Sequence, residues 1–423
     1  MSGTTKNLNG YGTIPGDWDI AALPDAVFFQ EGPGLRKWQW TESGMKVINV
    51  TNILGDGRID TNNTSRFISN EEYEKTYRHF TVDAGDIVVA SSGNTYGKVG
   101  RISPKDLPLM MNTSVIRFRS PDPKKLNDDF LYAFLRSDVF RNQVESFVIG
   151  SAQPNFGPTH LKRMVMPLPP LPVQQRIAGI LSAYDELIEN SQRRIKILEA
   201  MARALYREWF VHFRFPGHES VPRTASPLGE IPQGWEVKKL GDIAEDMRRN
   251  VPKGELEEPR PFVGLEHIPR RSLALDAWDT TNALGSNKLE FKKGEVLFGK
   301  IRPYFHKVSV APFDGLCSAD TIVIRSRSPE HYAFVVACAS SDAFVAEASA
   351  TANGAKMPRA SWDVLKRYPV VIPKGEVADK FSALIADVVG QQQTLVFQIQ
   401  NLRRTRDLLL SRLLSGQTEI EDV

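Results

Sequence analysis

The sequence contains little of what secreted proteins and metalloenzymes depend on. Only two of its 423 residues are cysteine, Cys317 and Cys338, which excludes a disulfide framework and predicts two reduced thiols. Its seven histidines are scattered, without an HxxxH pair or a neighbouring cysteine, and this argues against a metal site. No apolar run is long enough to cross a membrane, and the first ten residues lack the apolar core of a signal peptide. These absences predict a cytoplasmic protein.

Motifs for nucleotide binding and catalysis are missing as well. Residues 91–100, SSGNTYGKVG, resemble a phosphate-binding loop, but only three residues separate Gly93 from Gly97, and Val99 stands where that loop has serine or threonine. No glycine-rich cofactor fingerprint follows a strand. Residues 153–156, QPNF, differ from the Asn/Asp-Pro-Pro-Tyr/Phe motif of amino-methyltransferases. The sequence therefore predicts no catalytic residue, no metal and no cofactor in this chain.

The composition is otherwise that of an ordinary globular protein. A hydrophobic fraction of 41% is enough for real cores, and a length of 423 residues suggests two to three domains. The net charge of +3 permits an anionic partner without requiring one.

Two stretches have the periodicity of long helices. Residues 169–213 and 377–414 both place apolar side chains at steps of three and four, with Ser191 and Arg194 as polar breaks in the first and Gln392 and Arg406 in the second. This heptad spacing predicts one antiparallel coiled coil within the chain; two separate core helices, or a coiled coil between two chains, are the alternatives. The predicted seams are Val173, Ile177, Ile180, Tyr184, Leu187, Leu198, Met201 and Leu205, and Phe381, Ile385, Val388, Leu395, Ile399, Leu402, Leu409 and Leu413.

An internal repeat determines the predicted architecture. GTIPGDW at 12–18 returns as GEIPQGW at 229–235, and VDAGDIVVASSGNTYGKV at 82–99 returns as FKKGEVLFGKIRPYFHKV at 291–308. The segment 150–169 returns as 353–373, and each copy then enters its long helix. The chain is therefore predicted to be an α+β protein in which one unit is duplicated: a mixed α/β domain, a helix, a second such domain and a second helix.

The secondary structure of each globular half is predicted to be mixed. Val- and Ile-rich strands are expected at 46–50, 86–90, 114–118, 295–298 and 321–325, and helices at 128–146 and 329–348. Residues 215–229 are rich in Pro, Ser and Gly and are predicted to be a linker. The predicted division is a first domain at 1–168, a central helix at 169–214, the linker and second domain at 215–372, and a C-terminal helix and tail at 373–423.

Basic and amide side chains cluster in two loops of each half, one after a repeated strand and one before the long helix. Arg and Lys can contact phosphates and guanine edges, whereas Asn and Gln can pair with adenine. A solvated turn is the alternative for any single residue, but recurrence in both halves favours nucleic-acid recognition for the group. The candidates are Ser92, Asn94, Lys98, Arg101, Gln153 and Asn155 in the first half, and Lys300, Arg302, Tyr304, His306, Lys307, Lys356 and Arg359 in the second.

The two long helices carry arginines that are candidates for docking a partner protein. An ordinary solvated helix face is one alternative, and a strip that faces DNA phosphates is another. The candidates are Arg193, Arg194, Arg203, Arg207, Arg403 and Arg404.

The repeat, the segment PLPPLPVQQRIAGIL at 167–181 and the GDI…GK…G pattern at 85–100 together resemble the specificity (S) subunit of type I restriction-modification systems. This resemblance covers nearly the whole chain. It implies two target recognition domains, each reading one half of a split site in double-stranded DNA, joined by two antiparallel helices that set the spacing.

The same resemblance implies partners that carry the chemistry. Two methyltransferase subunits would use S-adenosylmethionine to methylate adenine N6, and two restriction subunits, where the system has them, would use ATP and Mg²⁺ to translocate and cut DNA. The chain itself would then be a non-catalytic subunit without membrane contact. Two alternatives stay open: a self-contained methyltransferase or nuclease with diverged motifs, and a scaffold of another phage-defence complex.

Overall fold

The computed structural model describes residues 4–62, 64, 66–93, 96–148 and 155–418. The chain divides into two compact units, Met1–Glu186 with Arg403–Val423, and Leu187–Leu402. Each unit contains one globular α/β part and a segment of each long helix.

The first globular part is built from short strands and helices. Its strands are β1 Thr5–Asn7, β2 Thr13–Pro15, β3 Asp19–Ala22, β4 Phe28–Glu31, β5 Met45–Ile48, β6 Phe67–Ile68, β7 Ile87–Ala90, β8 Val99–Arg101, β9 Met110–Met111, β10 Val115–Arg119 and β11 Val165–Leu168. Its helices are α1 Leu23–Ala26, α2 Asn70–Glu72, α3 Asp128–Arg136, α4 Asp138–Val148 and α5 Pro158–Leu161, and α6 Leu171–Tyr206 is the central helix.

The second globular part repeats this order with two additional strands and without a helix equivalent to α2 in the described residues 264–295. Its strands are β12 Arg223–Ser226, β13 Gly229–Pro232, β14 Glu236–Lys239, β15 Ala244–Asp246, β16 Arg249–Val251, β17 Gly254–Val263, β18 Asp279–Leu284, β19 Lys288–Phe291, β20 Val296–Gly299, β21 Val308–Val310, β22 Gly315–Ser318, β23 Thr321–Ser326 and β24 Pro369–Ile372. Its helices are α7 Leu240–Ile243, α8 Tyr332–Ala339, α9 Asp342–Ala350 and α10 Trp362–Leu365, and α11 Glu376–Leu414 is the C-terminal helix.

The main sheets of the two units have the same topology. Four strands run in the order β4-β10-β7-β8 in the first unit and β15-β23-β20-β21 in the second. Each unit also has a second sheet with one parallel pair, β5 with β9 and β17 with β22. In the second unit β16 and β19 extend that sheet to five strands. The duplication predicted from the sequence is confirmed, as is the α+β class.

All five predicted strands are present, as β5, β7, β10, β20 and β23. The run Ile87–Ala90 shows why these strands are apolar throughout. Ile87 and Val89 belong to one buried cluster, whereas Val88 and Ala90 belong to another. Each face of the sheet is covered, so neither face needs polar side chains.

Each predicted helix after the sheet is in fact two helices, and this corrects the expectation for 128–146 and 329–348. The breaks fall at serines. Ser137 Oγ accepts a hydrogen bond from the Phe140 amide at 3.3 Å, and Ser341 Oγ accepts one from the Phe344 amide at 3.2 Å. A serine hydroxyl that satisfies a free amide of the first turn starts a new helix at that point.

The segment predicted as a linker is partly a β-hairpin, β12 with β13, which matches the β1–β2 hairpin at the start of the chain. Its turn is closed by Ser226, whose Oγ donates to the Gly229 carbonyl at 2.7 Å and accepts from the Leu228 amide at 3.1 Å. Gly229 has φ +96°, a conformation that favours glycine. The Pro, Ser and Gly residues of this segment therefore form, at residues 226–229, the tight turn of a hairpin and not only a linker.

The two long helices pair antiparallel, as predicted. In the first unit, Arg406 of α11 donates from Nη1 to Asp185 Oδ1 of α6 at 2.6 Å. In the second unit, the ring of Phe210, in the π-helical turn Arg207–Val211 that extends α6, lies 4.6 Å from that of Phe381. Within the second unit, Ile188 and Ile195 of α6 also share a buried cluster with Leu395 and Ile399 of α11. Partner numbers therefore fall along α11 as they rise along α6, as they do in antiparallel helices.

The apolar seam of α11 lies where it was predicted, but one column of the α6 seam is shifted by a residue. Leu187 and Met201 were expected in the interface and are 49% and 59% exposed. The buried column consists of Ile188, Ile195 and Ala202. The predicted column contains Arg194, whose charge is costly to bury, whereas the observed column is apolar throughout.

Candidate nucleic-acid interface

Four loops meet at one end of the main sheet in the first unit. The Gly32 amide donates to the Val115 carbonyl at 2.9 Å, and the Ser91 amide donates to the Ser114 carbonyl at 2.8 Å. The Phe156 amide then donates to the Ser91 carbonyl at 3.0 Å. These bonds join the loops after β4, before β10, after β7 and before α5. The first loop cluster is residues 32–40, 112–114, 91–93 with 96–98, and 155–157.

The second unit has the same arrangement at the equivalent sheet end. The Met247 amide donates to the Val323 carbonyl at 2.7 Å, and the Lys300 amide donates to the Asp320 carbonyl at 2.8 Å. The Ala360 amide donates to the Lys300 carbonyl at 3.0 Å. The second loop cluster is residues 247–248, 318–320, 300–307 and 353–360. The bonds made by Ser91 and Phe156 therefore recur at Lys300 and Ala360, whereas the Met247 bond lies two residues further into the sheet than the Gly32 bond. The side chains that these loops present differ between the two units.

The two loops singled out from the sequence lie side by side in both units. Ser92 and Asn155 form an isolated antiparallel β-bridge in the first loop cluster, and Ile301 and Arg359 form one in the second. Asn94 and Gln153, which were also predicted to contact nucleic acid, lie outside the described residues. Lys98 lies in the β7–β8 connection with its side chain half-buried.

The second loop cluster presents basic side chains to solvent. Lys356 is exposed, and the exposed Arg359 lies with Nε 3.5 Å from Asp320 Oδ1. The Arg302 amide donates to the Pro358 carbonyl at 2.8 Å, which fixes the start of the turn that carries Tyr304. Lys300 Nζ donates to the Ala319 carbonyl at 3.0 Å. Exposed cations on a loop fixed by backbone bonds are suited to contacts with phosphates or base edges.

Three predicted contact residues are instead engaged inside their own unit. Arg101 pairs with Asp129 at 2.5 Å and lies 4.6 Å from the ring centre of Tyr132. His306 is only 5% exposed, and its Nε2 lies 3.0 Å from the Ser340 carbonyl. Lys307 Nζ donates to the Leu265 carbonyl. Burial lowers the pKa of both His306 and Lys307. These contacts argue against a direct ligand contact by any of the three.

Residues 32–40, GPGLRKWQW, are the part of the first loop cluster that sequence reasoning missed. The Thr113 amide donates to the Pro33 carbonyl at 2.8 Å and so fastens this segment to the rest of the cluster. A run of basic and aromatic residues after two glycines and a proline could have indicated a contact with nucleic acid. This segment was not predicted as a contact, because the prediction relied on features that occur in both repeats and no matching run occurs in the other one.

Most of the arginines proposed for partner docking point to solvent. Arg193, Arg194, Arg207 and Arg404 are exposed, and Arg203 is exposed while donating to the Arg271 carbonyl at 3.3 Å. Arg403 is half-buried and has an interaction partner.

In the first unit, polar contacts fix the helices to the globular part. Asp185 accepts from Arg406, and also from Arg136 of α3 at 2.7 Å. Burial works to raise the pKa of Asp185, but the Arg136 and Arg406 guanidiniums hold it below its usual value. Gln174, in the QQR segment, is buried; its Nε2 donates to the Lys125 carbonyl at 2.9 Å and its Oε1 accepts from the Asn127 amide at 2.9 Å. These contacts thus join both helices to α3 and the segment before it within this unit.

In the second unit the central helix is fastened to the globular part by a buried carboxylate. Glu199 of α6 is 3% exposed, and its Oε1 accepts from Ser272 Oγ at 2.6 Å and from the Leu273 amide at 2.7 Å. The Ala274 amide lies 3.3 Å from the same oxygen. The carboxylate therefore holds the strand-like segment 272–274 against the helix.

Both cysteines of the chain are buried. Burial raises the pKa of Cys317 to about 12 and that of Cys338 above its usual range, so neither is a ready thiolate. No group of three or more His, Cys, Asp or Glu side chains suited to a metal occurs in the part of the chain that the structure describes. Within the same residues no single helix has the length and apolarity of a membrane span. The bent helix pair Pro329–Ala339 and Asp342–Ala350 meets the criteria for a span by its combined length and composition alone.

Comparison with known proteins shows which proteins this chain resembles. Residues 15–200 match the model of the type I restriction modification DNA specificity domain. This chain resembles the type I specificity subunits. It is 25% identical to the type I restriction enzyme MjaIX specificity subunit of Methanocaldococcus jannaschii over 97% of its own length and 96% of that protein's. It is 23% identical to the EcoDI specificity subunit of Escherichia coli, over 89% and 87% of the two chains. The resemblance inferred from the sequence is confirmed.

A solved structure shares the fold. The crystal structure of a type I restriction-modification system S subunit from M. genitalium matches 94% of this chain and 96% of its own, with a TM-score of 0.53 and 18% identity. The type I specificity fold thus accounts for both the duplicated α/β parts and the pair of long helices.

Proposed function

We propose that this chain is the DNA sequence-recognition subunit of a type I restriction-modification complex. Each unit reads one half of a split site in double-stranded DNA through its loop cluster. The observation that carries the proposal is that the bonds made by Ser91 and Phe156 recur at Lys300 and Ala360 while the side chains on these loops differ. A conserved frame with changed side chains is what two readers of different sequences require.

The energetics of recognition favour two readers over one. A mismatched base pair costs about 1–3 kcal/mol, so a small domain that contacts a few pairs discriminates only modestly. Once one domain is bound, the second binds as an intramolecular event, and specificity becomes the product of both. The paired helices α6 and α11 act as the spacer that determines the distance between the two half-sites.

The chemistry is proposed to belong to partners. Two methyltransferase subunits bind S-adenosylmethionine and methylate adenine N6, and restriction subunits, where present, use ATP and Mg²⁺. The exposed arginines of α6 and α11, such as Arg193 and Arg404, are proposed docking contacts. This chain then needs no cofactor of its own, and it acts in the cytoplasm, where its DNA lies.

Lengthening the spacer tests the proposal directly. A seven-residue insertion near Ser191, matched by one near Gln400 on α11, adds two turns, about 10 Å, and preserves the apolar seam. We expect the methylated site to gain about three base pairs between half-sites whose sequences do not change, at about 3.4 Å per pair. Methylation mapping of DNA treated with the reconstituted complex measures this. Altered half-site bases with an unchanged spacer contradict the proposal.

A domain exchange tests the assignment of one half-site to each unit. Replacing residues 20–160 by the equivalent segment of another type I specificity subunit should change one half of the methylated site and leave the other half and the spacer intact. A site that changes in both halves rejects the assignment. Incubating the purified chain alone with DNA, Mg²⁺ and S-adenosylmethionine separates this function from a self-contained enzyme, because methylation or cleavage without partners refutes a recognition-only role.

A further inference from the structure

Trp38 is the most exposed large apolar side chain in the described part of the chain. It is 79% exposed and lies on the short 3₁₀ turn Lys37–Gln39 within the first loop cluster. Burying a large apolar side chain is favourable, so leaving Trp38 in water forfeits that stabilisation. The forfeited stabilisation suggests that Trp38 is covered by a ligand.

The turn holds the indole outward on a fixed base. Gln39 is buried beneath it; its Oε1 accepts from the Arg36 amide at 2.7 Å, and its Nε2 donates to Tyr77 Oη at 2.9 Å. Gln39 Nε2 also donates to Glu72. These bonds fix the turn that carries Trp38. The turn is therefore a built platform, and its backbone has little conformational entropy left to lose on binding.

The neighbours of Trp38 are basic. Arg36 and Lys37 are exposed beside it, and the Arg66 guanidinium lies 5.3 Å from the ring centre of Trp40. Cations interleaved with aromatic faces are the chemistry of proteins that grip a phosphate backbone and stack on its bases. An apolar protein partner would not call for this density of positive charge.

The second loop cluster reaches the same chemistry from a different loop. Tyr304 is 55% exposed on the 3₁₀ turn Pro303–Phe305. Arg302 and His306, which flank that turn, both have left-handed backbones, with φ +50° and +52°. Such conformations are costly for residues other than glycine and concentrate at functional sites. Arg270 lies 4.1 Å from the ring centre of Phe305 beneath it. Each loop cluster thus exposes an aromatic ring on a 3₁₀ turn beside cations.

We propose that Trp38 stacks on a base of the half-site read by the first unit, and that Tyr304 does so in the other half-site. The inference rests on the proposed function and adds to it a stacking contact with a base face, which differs from a hydrogen bond to a base edge. For an exposed aromatic ring to reach a base face, the duplex must open or kink at that step. Base–aromatic stacking is sequence-tolerant, so these residues contribute affinity and local DNA deformation more than base identity.

The test uses the complex reconstituted with its methyltransferase subunits and the duplex identified by methylation mapping. Trp38→Ala should weaken binding roughly 5- to 100-fold, whereas Trp38→Phe, which keeps an aromatic face, should stay within about threefold of wild type. Leu228→Ala, which truncates an exposed apolar side chain on the β12–β13 turn, is the matched control and should bind like wild type. Fluorescence anisotropy of labelled duplex measures the dissociation constants.

The salt dependence separates stacking from charge. Trp38→Ala should leave the slope of log K against log salt unchanged, while Lys37→Ala should reduce it by about one. A 2-aminopurine probe placed in turn at each adenine of the half-site should be quenched at one position by wild type and not by Trp38→Ala. Tyr304→Ala should produce the same loss of quenching in the other half-site only.

The outcomes distinguish the inference from the function on which it rests. A wild-type complex that binds no duplex specifically refutes the proposed function, and this inference with it. A wild-type complex that binds its site while Trp38→Ala binds equally well refutes the inference alone. So does a Trp38→Ala chain that no longer assembles with the methyltransferase subunits in the absence of DNA, because Trp38 would then be a protein contact.

Discussion

The buried carboxylate of Glu199 offers a sharp test of how the recognition part of the second unit is held to its helix. Its Oε1 accepts from Ser272 Oγ at 2.6 Å and from the Leu273 amide at 2.7 Å. The contact with the Ala274 amide, at 3.3 Å, is weaker because that amide also lies 3.3 Å from Ser272 Oγ. Two strong charge-assisted bonds therefore carry the anchor.

Two substitutions separate the loss of the acceptor from the loss of its charge. Glu199→Ala leaves the Ser272 hydroxyl and the Leu273 amide without their acceptor, at about 1–2 kcal/mol each, or about 3 kcal/mol in all. Glu199→Gln keeps an oxygen in place and loses only the charge assistance, about 1 kcal/mol. Glu199→Ala is therefore expected to destabilise the protein much more than Glu199→Gln does.

Amide hydrogen exchange is the direct assay, because it reports the opening of segment 272–274 by itself. A loss of about 3 kcal/mol corresponds to exchange roughly 100-fold faster in Glu199→Ala. Glu189→Ala on the same helix is the control: its carboxylate is exposed and pairs with the exposed Arg193 at 3.5 Å, so its effect should stay within about 0.5 kcal/mol. Unchanged exchange in Glu199→Ala, or glutamine as damaging as alanine, would show that the carboxylate is not the anchor.

Three further predictions concern the helix pair and its attachment. Asp185→Ala should cost about 2 kcal/mol at neutral pH by urea unfolding, less than a fully buried pair because the carboxylate is partly exposed. Arg136 and Arg406 lower the pKa of Asp185 in the folded chain. Its contribution to stability is therefore complete above the unfolded-state pKa of about 3.9 and is lost as the pH falls through the folded-state pKa. A stability difference between Asp185→Ala and wild type that grows on acidification would contradict this. Gln392→Leu should stabilise the chain by about 1 kcal/mol, since the buried Gln392 Nε2 has no hydrogen-bond partner among the described residues; a lower melting temperature would contradict it. Gln174→Ala should cost about 2–3 kcal/mol and speed exchange at the start of α3, and an unchanged start of α3 would rule out its anchoring role.

Much of the architecture followed from local patterns in the sequence. The repeat predicted the shared topology, and the Val- and Ile-rich runs predicted β7, β10, β20 and β23. Both long helices were predicted to within a few residues of their observed bounds, because heptad spacing is a strong local signal over nearly 40 residues. Local patterns were weaker where a single serine starts a second helix, as at Ser137.

The candidate interface was only partly predictable. The loops after β7 and before α5 were expected to carry recognition, and they do lie side by side. That they meet the loops after β4 and before β10 depends on β10 being the central strand between β4 and β7, which is a long-range pairing. The platform beneath Trp38 likewise depends on Tyr77, nearly 40 residues away. No local pattern records such pairings.

The sequence by itself determined that one module occurs twice and that each copy leads into a long amphipathic helix, because duplication and periodicity are written in residue order. The tertiary structure decided which side chains remain available to a ligand. Arg101 and His306 have the chemistry of nucleic-acid contacts, yet their donors are used by Asp129 and Ser340. A polar group's partners depend on which distant segments fold against it, and that is decided only when the chain packs.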